Sequence, residues 1–255
     1  MHRLAFLLFA AWAAALAEHR LISIGERKLS IDCDGDAART PTVVLLAGGG
    51  RTAKDWGKVQ PEVAKFARVC SYDRAGFGES DKVSVKVQPT AEVVDDLHKL
   101  LATSGEKGRY ILVTHSIAGI YARAFAAKYP EQMAGFVFVD SSHEEQALRL
   151  HEVDPKDGDL GELTASLGFY TKLGQKLEWQ TDLPIIDLAR GQKFPRNNQM
   201  SEEQFTKWDG IWRSFQDDLA KRSPRGEMRV AQNSGHFIQT DQPEMVIQAI
   251  RDVMH

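Results

Sequence analysis

A chain of 255 residues, 43% hydrophobic and 26% charged, has the balance of a globular domain and enough apolar material for one sizeable core. A formal net charge of -3 supplies no broad basic field, which argues against the phosphate backbone of nucleic acid and against anionic membrane surfaces as partners. One domain is expected, and composition leaves the oligomeric state open.

The chain begins with Arg3 ahead of an apolar run over 4–16 that closes on Ala15-Leu16-Ala17, the small-x-small pattern of a signal-peptidase site. The run is shorter than the roughly 20 residues that cross a bilayer. We therefore expect residues 1–17 to be a signal peptide cut before Glu18. The mature chain, 18–255, is then secreted or periplasmic, without a stable membrane anchor. Two cysteines, Cys33 and Cys70, would meet an oxidising compartment; a disulfide and a pair of buried thiols both fit that setting. They lack zinc-site spacing, so no metal is expected.

Short apolar runs rich in β-branched residues recur at 21–24, 28–33, 42–47, 68–72, 110–114, 135–140, 183–188 and 228–231. From the third onward they alternate with helix-like segments, notably 91–102, 116–128, 202–221 and 243–253. Such alternation builds an α/β fold, a largely parallel sheet of eight strands with helices on both faces. In the helix from 202, Phe205, Trp208, Trp212, Phe215 and Leu219 share one face, expected to pack on the sheet; the alternative is a pocket lining. Ser201 and Gln204 give this helix a capping box. The stretch 141–182 exceeds an ordinary connection and carries Leu163, Leu167 and Tyr170 at helical spacing, which suggests a small helical cap between strands 6 and 7.

Chemistry concentrates at the ends of strands. Thr114-His115-Ser116-Ile117-Ala118 turns an apolar strand into a helix with a serine at the apex, although Thr114 and Ala118 stand where two glycines are expected. A serine there projects its hydroxyl, and the following N–H, of Ile117, lies at the positive end of a helix, where it can stabilise an oxyanion. A second oxyanion donor is expected from Gly48-Gly49-Gly50, with Gly49 preferred. A serine nucleophile needs a base, and His236 in Asn233-Ser234-Gly235-His236-Phe237 lies on a late loop ahead of the last helix. His143 is its rival.

With VVLLAGGG at 43–50, YDRAGFGES at 72–80, VTHSIAG at 113–119, FVFVD at 136–140 and SGHFIQTDQPE at 234–244, the chain resembles the α/β-hydrolase superfamily across essentially all of the mature sequence. The family's strand order places the second and fourth strands side by side, which implies a Cys33–Cys70 disulfide. The family often reads Gly-x-x-Asp-Pro after the seventh strand; here the segment is Gly191-Gln192-Lys193-Phe194-Pro195, so Phe194 occupies the acid's place. Some members carry the acid after the sixth strand, which implies Asp140; a helix-capping aspartate is the alternative reading, and Asp187 is the second candidate for the acid. With the expected signal peptide, the resemblance implies an exported serine esterase with catalytic Ser116, His236 and Asp140, oxyanion donors Gly49 and Ile117, an acyl-enzyme intermediate, a small-molecule acyl substrate and no cofactor. The rivals are a peptidase or amidase using Glu144 and Glu145 to hold a free amine, a cofactor-free haloperoxidase, and a non-catalytic binding protein on the same scaffold.

Overall fold

The computed structural model describes residues 18–84, 88–106, 108–153, 179–194 and 200–255. Eight strands, β1 (Glu18–Ser23), β2 (Lys28–Asp34), β3 (Thr42–Leu46), β4 (Val69–Tyr72), β5 (Tyr110–His115), β6 (Met133–Val139), β7 (Ile185–Arg190) and β8 (Gly226–Ala231), form one sheet in the order β1-β2-β4-β3-β5-β6-β7-β8. Only β1–β2 and β2–β4 pair antiparallel; from β4 to β8 every pairing is parallel. The helices are α1 (Gln60–Val63), α2 (Thr90–Ser104), α3 (Ala118–Lys128), α4 (Gln146–His151), α5 (Glu202–Ala220), α6 (Ile238–Asp241) and α7 (Pro243–Val253). The signal peptide expected at 1–17 and most of the cap expected over 141–182 lie outside the described residues.

The central strands read as unbroken apolar runs because both faces are covered. Tyr110, Leu112, Phe136 and Phe138 enter one core with α2 and α3, while Ile111, Val113, Val137 and Val139 enter a second with α1 and α7. Cys33 stands opposite Cys70 in the β2–β4 register, and the two are joined by a disulfide with S–S 2.06 Å. The capping box on α5 forms as expected: the Gln204 N–H donates to Ser201 Oγ at 3.1 Å, and the Ser201 N–H donates to Gln204 Oε1 at 2.9 Å.

Two departures from the expected boundaries matter for the site. The helix expected from 116 starts at Ala118, because Ser116 holds φ 55°, which a right-handed helix does not admit. The strand expected to run through 140 stops at Val139, because Asp140 holds φ 44°. Left-handed backbone at two non-glycine residues on neighbouring strand ends is a local strain that the surroundings must hold in place. The short helices α1 and α6 were not anticipated, since one turn carries no periodic signal.

Candidate active site

The turn at Ser116 is held by the exit of β6. The Ser116 N–H donates to Val139 O at 3.3 Å, and the Ser142 N–H donates to Ser116 O at 2.9 Å. Thr114 fits despite its branched side chain because it is wholly buried against the same loop: the Ser141 hydroxyl donates to Thr114 O at 2.8 Å and lies 3.2 Å from Thr114 Oγ1. The need for a small residue moves one place along the helix. A Cβ on Gly119 would lie 2.6 Å from Ser141 Cβ, whereas Ala118 is accommodated in the core. Ile117 precedes α3, where the first N–H groups have no intrahelical acceptor.

Facing the turn is the loop after β3. A Cβ on Gly48 would lie 2.7 Å from His115 Nδ1 and 3.3 Å from Ser116 Cβ, so glycine is required for this approach. Gly48 O accepts from Arg74 at 2.9 Å and from the Arg51 N–H at 3.3 Å, and Gly50 at φ 67° completes the tight turn. In a trans peptide the N–H points opposite the carbonyl, so drawing Gly48 O onto Arg74 turns the Gly49 N–H the other way. Arg74 itself is steadied by Tyr121 Oη at 3.0 Å. Through Arg74 the YDRAGFG segment thus reaches the glycine turn.

His236 Nδ1 lies 2.7 Å from Asp140 Oδ2. A carboxylate only accepts, so Nδ1 carries the proton and the neutral ring keeps Nε2 as its free acceptor. Asp140 is wholly buried and also receives Trp212 Nε1 at 2.8 Å, the Arg190 N–H at 3.2 Å and Arg190 Nη1 at 3.2 Å. Burial pushes its carboxyl up, but the bond from His236, the charges of His236 and Arg190, and the Trp212 bond outweigh burial and hold it below the usual range. With these partners Asp140 does not cap a helix. Phe194, in the place where the family often has its acid, packs its ring 5.1 Å from that of His236.

His115 lies under the site. Its Nε2 donates to His236 O at 2.9 Å, and the two rings are 4.5 Å apart. Burial, with His236 beside it, brings its pKa down to about 3, so it is neutral and serves as a prop for the His236 loop. Ser116 and His236 are both half-buried.

The competing candidates separate from this corner. His143 Nδ1 accepts the Glu145 N–H at 3.0 Å, so its proton sits on Nε2, 3.0 Å from Asp218, with its ring stacked 4.5 Å from Phe215. Both ring nitrogens are engaged, which leaves no base. Glu144, weighed as an amine ligand, pairs with Arg222 at 2.5 Å and Arg123 at 3.1 Å. Burial works against its ionisation, yet Arg123, His143 and Arg222 prevail and bring it down to about 2. Asp187 is fully buried inside β7, with neither oxygen hydrogen-bonded.

Arg190, Asp209 and the indole of Trp212 were not anticipated as parts of this site. The aromatic face of α5 is core as expected, with Trp212 and Phe215 buried, but its indole nitrogen reaches Asp140. A signal for Arg190 was available: a charged residue closes an apolar strand at its carboxyl end, where open α/β sheets hold their ligands.

Residues 41–160 match a family model described as alpha/beta hydrolase fold. The chain is 29% identical over 218 residues to a probable transporter, efuK, of Hormonema carpetanum, which covers 81% of this chain and 31% of that protein. The chain thus spans about a third of that relative's length. It is 25% identical over 222 residues to an uncharacterized protein, YqjL, of Bacillus subtilis, covering 83% of each. A thermophilic esterase from Thermogutta terrifontis superposes with a TM-score of 0.64 at 22% identity, covering 94% of this chain and 98% of the other. Sheet order, the strained serine turn and these likenesses agree: the chain has the α/β-hydrolase fold, and its residues 41–160 match the model of that family.

Proposed function

We propose that this protein is an exported serine hydrolase that cleaves carboxylic esters of small acyl substrates. The observation that carries the reading is a histidine whose Nδ1 lies 2.7 Å from a buried carboxylate at the exit of β6, the strand paired with the one that ends in the strained serine turn. Ser116 Oγ attacks the acyl carbonyl while His236 Nε2 takes its proton; Asp140 orients the ring and stabilises the imidazolium. The N–H groups of Gly49 and Ile117 hold the oxyanion of the tetrahedral intermediate. The proton passes to the departing alcohol, leaving an acyl-enzyme that a water, activated by the same histidine, hydrolyses.

Serine rather than aspartate at the apex favours acyl transfer over the alkyl-ester chemistry of dehalogenases and epoxide hydrolases. The likeness to the Thermogutta esterase points the same way. An aminopeptidase reading loses support because Glu144 is committed to two arginines. The disulfide agrees with export, and no helix among the described residues is long and apolar enough to cross a membrane. Cleavage after Ala17 predicts an N-terminal Glu18 in the mature protein, readable by mass spectrometry.

Labelling with a fluorophosphonate, followed by peptide mapping, tests the nucleophile: an adduct on Ser116 is expected, and none on Ser116→Ala. Folded protein that takes up no label would favour a binding scaffold instead. A panel of short acyl esters, lactones and aminoacyl amides tests the bond cleaved, and amides turning over faster than esters would overturn the ester assignment.

A further inference from the structure

Arg190 closes β7 almost wholly buried, 2% exposed. Its backbone N–H and Nη1 both reach Asp140, and Nη2 donates to Asp209 Oδ1 at 2.9 Å. The guanidinium lies over Phe194 with its carbon 4.2 Å from the ring centroid, and 4.9 Å from that of Trp212. The ring in the family's usual acid position therefore forms one wall of a cage for a cation that touches the substitute acid. The side chain bonds opposite charges on two elements, and flat aromatic faces restrict its plane, so it is fixed in place.

The geometry points to Arg190 as a positioning residue that shares Asp140 with His236 and so sets the pH at which the histidine becomes a base. The inference rests on the proposed roles of Asp140 and His236. A cation on the carboxylate orients it, and it also opposes the imidazolium that the carboxylate would otherwise favour. Asp209 on α5 tempers that cation from its far side. Other charged or titratable groups lie on the elements packed around this corner. His115 at the end of β5 is neutral. Arg51, after β3, rests on the Phe237 ring, and its charge is shared with Asp55. Asp187 in β7 is buried and pushed toward its neutral form. On the histidine's own segment, Asp241 accepts from Ser234 and the Gly235 N–H. Of these, Arg190 alone is a cation bonded to the carboxylate that holds the ring.

The test is the pH dependence of kcat/KM on a neutral short acyl ester, together with NMR titration of the His236 ring, for full-length wild type, Arg190→Met, Arg190→Lys and Asp209→Asn. Removing the cation strengthens the hold of Asp140 on the imidazolium, so Arg190→Met moves the acid limb up by about one pH unit, roughly tenfold in rate on that limb. Arg190→Lys keeps the limb near wild type. Asp209→Asn leaves the cation less tempered and moves the limb down by a few tenths of a unit, the opposite sign. If Arg190→Met does not fold, the Asp209→Asn shift and the Arg190→Lys profile carry the test. Coincident acid limbs and coincident His236 titrations across the variants would overturn the proposal, as would an Asp209→Asn shift in the same direction as Arg190→Met. The NMR titration reads the coupling without turnover. Shifts there in a protein that hydrolyses no ester would sustain the coupling and defeat only the ester assignment.

Discussion

Asp140 and Asp187 are both wholly buried, belong to neighbouring strands, one just past its end and one within it, and were the first and second candidates for the same role, yet their carboxyls are shifted in opposite directions. Asp140 stands just past the end of β6, where the kinked backbone lets its carboxylate collect bonds from His236, Trp212 and Arg190. Asp187 is three residues back from the end of β7, inside the sheet, with Phe138 of β6 and Met228 of β8 beside it. Burial without a partner pushes its carboxyl well above the usual range, and the nearby charge of Asp140 adds to the rise, which favours its neutral form. Burial alone does not make a carboxylate useful. The strand end does, because only there can donors from several elements converge on it.

That contrast can be broken most directly at Asp140. Asp140→Asn keeps the shape but allows the wrong tautomer of His236, and kcat should fall about 10⁴-fold; activity near wild type would remove Asp140 from the site. Asp187→Asn should leave kcat/KM nearly unchanged and act on stability instead. The folded state holds a proton on Asp187 that the unfolded chain releases above the ordinary carboxylate range. Wild type should therefore lose up to about 1.4 kcal/mol per pH unit, relative to the variant, as pH rises until the folded pKa is passed. Urea unfolding at pH 5 and pH 8 checks this, and parallel curves for the two proteins would show that Asp187 is ionised. Asp140 has the reverse sign: its folded pKa is depressed, so its contribution is present above the unfolded pKa and is lost as pH falls through the folded one. The smallest effect should come from the rival histidine. His143→Gln should cost about 1 kcal/mol of stability through its lost bonds, with kcat/KM little changed; a large loss of kcat would place it in the mechanism.

Most of the sheet was legible because its strands are apolar runs of the right length and its helices are amphipathic or capped. Ser116, the Gly48 to Gly50 turn and His236 carried local signals of their own. Asp140 was legible only through an absence, since Phe194 stands where the family often has an aspartate. Trp212 and Arg190 were not recognised because their roles arise from contacts across 72 and 50 positions of sequence. An aromatic stripe reads as core whether or not one indole nitrogen in it finds a carboxylate. The tolerance of Thr114 was hidden for the same reason: its hydroxyl meets Ser141, 27 residues later.

The Cys33–Cys70 bond closes a covalent ring around β3 and the glycine turn after it, with 37 positions of sequence between its ends. The proposed donor at Gly49 lies inside that ring, while Ser116, Asp140 and His236 lie on the open chain beyond it. For a ring of this size, loop-closure entropy amounts to about 4 kcal/mol, and it falls on the unfolded state alone. Topologically, one proposed oxyanion donor, Gly49, sits within a covalent thread, while the other, Ile117, is held with the proposed nucleophile by packing alone. Reduction would therefore return that entropy to the unfolded chain and lower the stability of the whole fold by about that amount, rather than loosen one corner of it.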